Sequence, residues 1–109
     1  MLVADYTLIS NLEEFAGDVQ PKSLVSRTFC RDNGLKALLF GFDAGQELCL
    51  HTSNKATMIQ IVKGDATVTL ENNPHELSAG KWINVPPQLK NTILANTPLL
   101  MLWLMLDST

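Results

Sequence analysis

The sequence predicts an all-β fold, a sandwich or closed barrel, with one short helical turn near its start. Three observations carry that reading. Glycine and proline punctuate the chain at short intervals, at Gly34, Gly41, Gly45, Gly64 and Gly80 and at Pro74, Pro86-Pro87 and Pro98. Between them lie nine short segments rich in apolar and β-branched residues, at 23–29, 36–42, 47–51, 57–62, 66–71, 75–77, 82–85, 91–95 and 99–106. Sustained helical periodicity is absent. Many short strands separated by turn signals are the pattern of an all-β sandwich or barrel.

The exception to the missing periodicity comes first. Ser10-Asn11-Leu12-Glu13 has the form of a capping box, with Ser10 as N-cap and Glu13 reaching back. It predicts a single helical turn over 11–16 that Gly17 stops. Two hairpins are expected further on. Lys63-Gly64-Asp65 joins 57–62 to 66–71, with Gly64 free to take the positive φ of a tight turn. Asn72-Asn73-Pro74 joins that strand to 75–77. Within 66–71, Val68 and Leu70 alternate with Thr67, Thr69 and Glu71, so one face is buried and one is wet. The last segment is apolar on both faces. Met101, Trp103 and Met105 fall on one, and Leu100, Leu102, Leu104 and Leu106 on the other, so both should be covered.

Composition narrows the function classes. The chain has 109 residues, 46% of them hydrophobic and 17% charged, enough apolar content for a core in one domain over 1–109. Eight Lys and Arg against eleven Asp and Glu give a net charge of −3, without the basic clusters that nucleic acid attracts. The longest apolar run, 99–106, is eight residues, short of the roughly 20 that a spanning helix needs. Residues 1–5 lack a basic start and a long apolar stretch, so no signal peptide is expected. Two cysteines, Cys30 and Cys49, do not make a disulfide framework, and reduced thiols in the cytoplasm are the expectation.

One spacing is more specific. Gly45 is followed after five residues by His51, then by Ser53, Thr57 and Gly64; a second frame runs from Gly80 through Pro86 and Gln88 to Asn91. These frames resemble the two signatures of the cupin superfamily: a glycine, His-x-His, a Glu and a glycine, then a glycine, Pro-x-Gly and a third His. The resemblance spans about residues 36–106. It implies a small single-domain double-stranded β-helix, or jelly-roll barrel, expected as a homodimer. In the family, three His and one Glu hold a divalent metal inside the barrel. Those positions fall here on His51, Ser53, Thr57 and Asn91. Only His51 is a good ligand, since hydroxyls and an amide are weak neutral donors. The family's metal chemistry, dioxygenation included, is therefore not implied, and no cofactor is expected. Gln88 replaces the glycine of Pro-x-Gly, and Lys81 stands where many cupins have an Asp.

Strand alternation converts the frame into a pocket. If His51 points inward, Cys49 and Ser53 do too, while Leu48 and Leu50 point out. Ile59 and Ile61 follow Thr57 inward, and Ile93 and Ala95 follow Asn91. A polar cluster of His51, Ser53, Thr57 and Asn91 above an apolar floor has the make-up of a ligand pocket. The bland reading of His51 is a hydrogen-bonded remnant of a lost metal site. Cys30 and Cys49 read as small buried hydrophobes, and His75 as a solvated turn residue. The Glu13-Glu14 pair reads as a solvated helix start. The functional expectation is a metal-free protein that binds a small molecule or serves structurally, with no nucleic-acid or membrane partner. The alternative is a metal-independent isomerase or epimerase in which His51 is the acid/base; it needs an orienting carboxylate that alternation does not supply.

Overall fold

The structure is a computed structural model and describes residues 6–32, 34–50 and 54–106. One helical turn, α1 (Leu12–Ala16), precedes nine strands: β1 (Leu24–Asp32), β2 (Leu35–Phe42), β3 (Glu47–Leu50), β4 (Thr57–Lys63), β5 (Asp65–Leu70), β6 (Asn73–Ser78), β7 (Trp82–Val85), β8 (Asn91–Ala95) and β9 (Leu99–Leu106). Strands β1-β2-β9-β4-β7 form one antiparallel sheet and β3-β8-β5-β6 the other. The core is the space between them. Phe40, Phe42, Ile59, Ile61 and Met101 from the larger sheet meet Ala66, Val68, Ile93 and Ala95 from the smaller one, all buried. Among the described residues, no helix is long and apolar enough to cross a membrane.

The connections sort to two ends. The lower end carries the β2–β3, β4–β5, β6–β7 and β8–β9 connections; the upper end carries β1–β2, β3–β4, β5–β6 and β7–β8. Two local expectations need correction. The cap of α1 is Asn11, whose Oδ1 accepts from the Glu14 N–H at 3.0 Å, one residue later than the capping box placed it. Asn and Ser cap about equally well, so the spacing alone did not separate them. The Lys63-Gly64-Asp65 turn is not a hairpin, because β4 and β5 lie in different sheets and do not pair. It carries the chain across the core. Gly64 has φ +94°, and a Cβ there would run into the backbone oxygen of Pro98. Asn72 does sit in a hairpin, between β5 and β6, with Pro74 on the edge strand where a missing N–H costs least.

The two outer faces differ. Thr67, Glu76 and Asn96 make a polar network on the smaller sheet, where Thr67 Oγ1 donates to Glu76 Oε1 and Asn96 Nδ2 donates to Thr67 Oγ1, each at 2.9 Å. The outer face of the larger sheet is apolar. Ala16 and Phe15 of α1 cover Leu39 and Leu100, and Phe15 meets Phe29 edge-on at 5.8 Å between centroids. The covering stops there. Trp82 is 56% and Leu106 46% exposed, so the last strand is not fully covered on its outer side by this chain.

Candidate functional site

Register assembles the upper end of the barrel. Cross-strand partners share a face, and Arg31, Lys36, Met105, Thr57 and Val85 form one row across all five strands of the larger sheet. The row beneath it is Thr28, Leu38, Trp103, Ile59 and Ile83. On the smaller sheet, Leu50, Asn91, Leu70 and Asn73 are paired in the same way. Two hydrogen bonds set the relative level of the sheets: Gly80 N–H to Ile61 O at 2.9 Å and Ile61 N–H to Lys81 O at 3.0 Å. They tie the β6–β7 turn to Ile61. Counting back along the strands brings Thr57 to the level of Asn91.

Thr57 and Asn91 are 7% and 5% exposed, the two buried polar residues among those described. Ile59, Ile61 and Ile93 beneath them are fully buried. The Asn91 amide is half satisfied. Its Nδ2 donates to Leu89 O at 3.3 Å, and its Oδ1 has no partner among the described residues. Trp103 Nε1 is likewise buried without a partner among the described residues, although its ring is packed edge-on to Phe40 at 6.3 Å between centroids. A buried polar atom left unsatisfied costs about 1–3 kcal/mol, so two of them at one end of a barrel stand out.

The alternation expectation is corrected at Cys49. Leu48 pairs with buried Ile93 and packs on the core, whereas Cys49 pairs with Thr92 and is exposed. Its Sγ lies 3.9 Å from Glu47 Oε1 and 3.8 Å from Thr92 Oγ1 on the outer face. Cys49 thus belongs neither to the barrel interior nor to the buried thiols. The expectation took its phase from His51, whereas Leu48, packed on the core, carries the inward phase of this strand. His51 and Ser53 lie outside the described residues. Cys30 is half-buried, and His75 is exposed, on strand β6 instead of in a turn. The sequence reading gives Trp103 a covered face of the last strand and no polar role, and it gives Arg31 and Lys36 no role. An indole at an inward position of an end row would have marked the first. The other two needed the register.

No protein-family model matches the chain, and no curated protein matches it in sequence. Solved structures do match. A conserved protein of unknown function from Streptococcus pyogenes superposes with a TM-score of 0.83 at 21% identity, over 97% of this chain and 92% of that one. A cupin superfamily protein from Desulfitobacterium hafniense gives 0.79 at 19% identity, over 84% of each chain. The chain folds as a cupin. A cupin 2 conserved barrel domain protein from Leptotrichia buccalis gives 0.85 at 14% identity, over 98% of this chain and 51% of that one.

Cupin barrels commonly hold a metal inside, and the two donors described at those positions do not by themselves fit one. At the described ligand positions stand a hydroxyl, Thr57, and an amide, Asn91, whose free oxygen is a weak neutral donor. Among the described residues, no three His, Cys, Asp or Glu side chains come together. The upper end offers hydrogen bonds and positive charge.

Proposed function

We propose that this chain is a cytoplasmic small-molecule-binding cupin without metal chemistry of its own. The observation that carries the reading is the pair of unpartnered polar atoms, Asn91 Oδ1 and Trp103 Nε1, buried at one end of an otherwise apolar core. A bound polar molecule, or water holding its place, offsets their desolvation. The unpaired cysteines agree with a reducing compartment. A thermal-shift screen of polar metabolites on wild type, His51→Ala and Asn91→Leu tests the reading. At least one compound is expected to stabilise wild type and to lose that effect in Asn91→Leu. Equal stabilisation of all three proteins would place the ligand elsewhere, and silence across the screen would refute binding. Elemental analysis of protein grown with added iron, manganese, nickel and zinc tests the metal side; about one bound metal per chain, lost in His51→Ala, would overturn it.

We further propose a homodimer through the uncovered part of the larger sheet. Met58, Leu102 and Leu104 are half-buried there beside the exposed Trp82 and Leu106. An apolar patch of this kind is commonly an interface, and a two-fold pairing covers it with its own copy. Light scattering at micromolar concentration should give twice the chain mass, and Trp82→Glu should halve it. A soluble wild-type monomer would overturn the proposal.

A further inference from the structure

The upper end holds more than two orphaned atoms. Arg31 stands directly opposite Lys36 in the row that contains Thr57. Like charges so placed repel. Neither has a carboxylate partner among the described residues; the ion pair recorded there joins Lys63 to Glu13 at 3.4 Å, at the lower end. Lys36 is half-buried and Arg31 exposed, so the row runs from open solvent at β1 to a buried threonine at β4. Asn91 faces this row from the other sheet, roughly 10 Å away by ordinary sheet spacing. Trp103 stands one row below. Two cations, an acceptor without a donor and a donor without an acceptor therefore gather at one mouth.

Each group specifies part of a ligand. The cation pair calls for an anion, and a guanidinium fork favours the planar, bidentate geometry of a carboxylate. Asn91 Oδ1 calls for a donor. Trp103 Nε1 calls for an acceptor. A hydroxyl both donates and accepts, whereas a bare carboxylate only accepts. We propose that the upper end binds a small hydroxy acid: the carboxylate lies at the rim on Arg31 and Lys36, and hydroxyl oxygens reach Asn91 Oδ1 and Trp103 Nε1. This rests on the binding reading above and gives it a ligand class.

The chain supplies its own reporter. It has two tryptophans, Trp103 at the proposed site and Trp82 on the outer face of the sheet, so a ¹⁵N-labelled sample gives two indole signals that Trp82→Phe assigns. Glycerate, malate and gluconate are titrated against acetate, glycerol and sorbitol. The hydroxy acids should move the Trp103 signal and leave Trp82 still. Arg31→Gln and Lys36→Gln should each raise Kd about tenfold, with an affinity that falls as salt rises. Asn91→Leu should abolish the preference for hydroxy acids over acetate. Polyols that bind as well as the acids, with no effect of Arg31→Gln or Lys36→Gln, would overturn the hydroxy-acid assignment and leave the binding reading standing. So would a compound from the thermal screen whose effect is lost in Asn91→Leu but which leaves Trp103 unmoved. Silence in both the titrations and the screen would remove both.

Discussion

The two ends of this barrel are built by opposite rules. Toward the lower end, Phe42, Leu99, Met101, Ile61, Ala66 and Ala95 fill the interior, all at most 4% exposed and all apolar. The turn there from β4 to β5 uses glycine, Gly64, at φ +94°. Toward the upper end the interior rows hold Thr57, Asn91 and Trp103, with two buried polar atoms unpaired. The turn there from β7 to β8 places Gln88, which is not a glycine, at φ +73°. Left-handed backbone at residues other than glycine occurs at both ends, at Lys22 (φ +58°) below and at Glu71 and Gln88 above, so the unpaired polar atoms are what set the ends apart. Unpaired groups tend to persist where a fold is used and not merely held together.

Substitutions at each end sharpen the contrast. Ile61→Ala, in the dry half, should cost about 2–5 kcal/mol in denaturant unfolding, because it opens a cavity among fully buried neighbours. Gly64→Ala follows. Positive φ and the Pro98 backbone oxygen both oppose a Cβ, and a loss of about 2 kcal/mol or more is expected. A neutral result would mean that the β4–β5 crossing is laxer than described. Asn91→Leu should reverse the sign. It removes an unsatisfied buried oxygen, so the free protein should gain about 1 kcal/mol while ligand stabilisation disappears. A loss of stability instead would mean that Asn91 is structural and the ends are less different than they look. The smallest effect belongs to Gln88→Gly, which should stabilise by about 0.5–1 kcal/mol by relieving the left-handed backbone.

Much of this was legible along the chain. The nine strands fall on the nine segments marked by glycine, proline and β-branched runs, within a few residues at their ends. Inward positions at Thr57, Ile59 and Ile61 and at Asn91, Ile93 and Ala95 follow from alternation, since each is buried. The third strand was misjudged because its phase was anchored on His51, whereas the Leu48 side chain is the one packed on the core. The Lys63-Gly64-Asp65 turn was misjudged for a related reason: a glycine reports a sharp reversal, not whether the chain stays in one sheet or crosses to the other.

By itself, the sequence determined what short-range physics controls: where strands begin and stop, and which residues share a face; its resemblance to cupins added the expectation of weak donors at three of the four family ligand positions. Tertiary structure decided what depends on register and stacking. It set Arg31 against Lys36, fifty or more residues from Asn91 and Trp103, and brought all four to one end of the barrel. It also left Trp82 and Leu106 uncovered while α1 shielded Leu39 and Leu100. Side-chain alternation is a property of one strand and can be read from it. Which strands become neighbours is settled by how two sheets bury their apolar faces together, and that involves the whole chain at once.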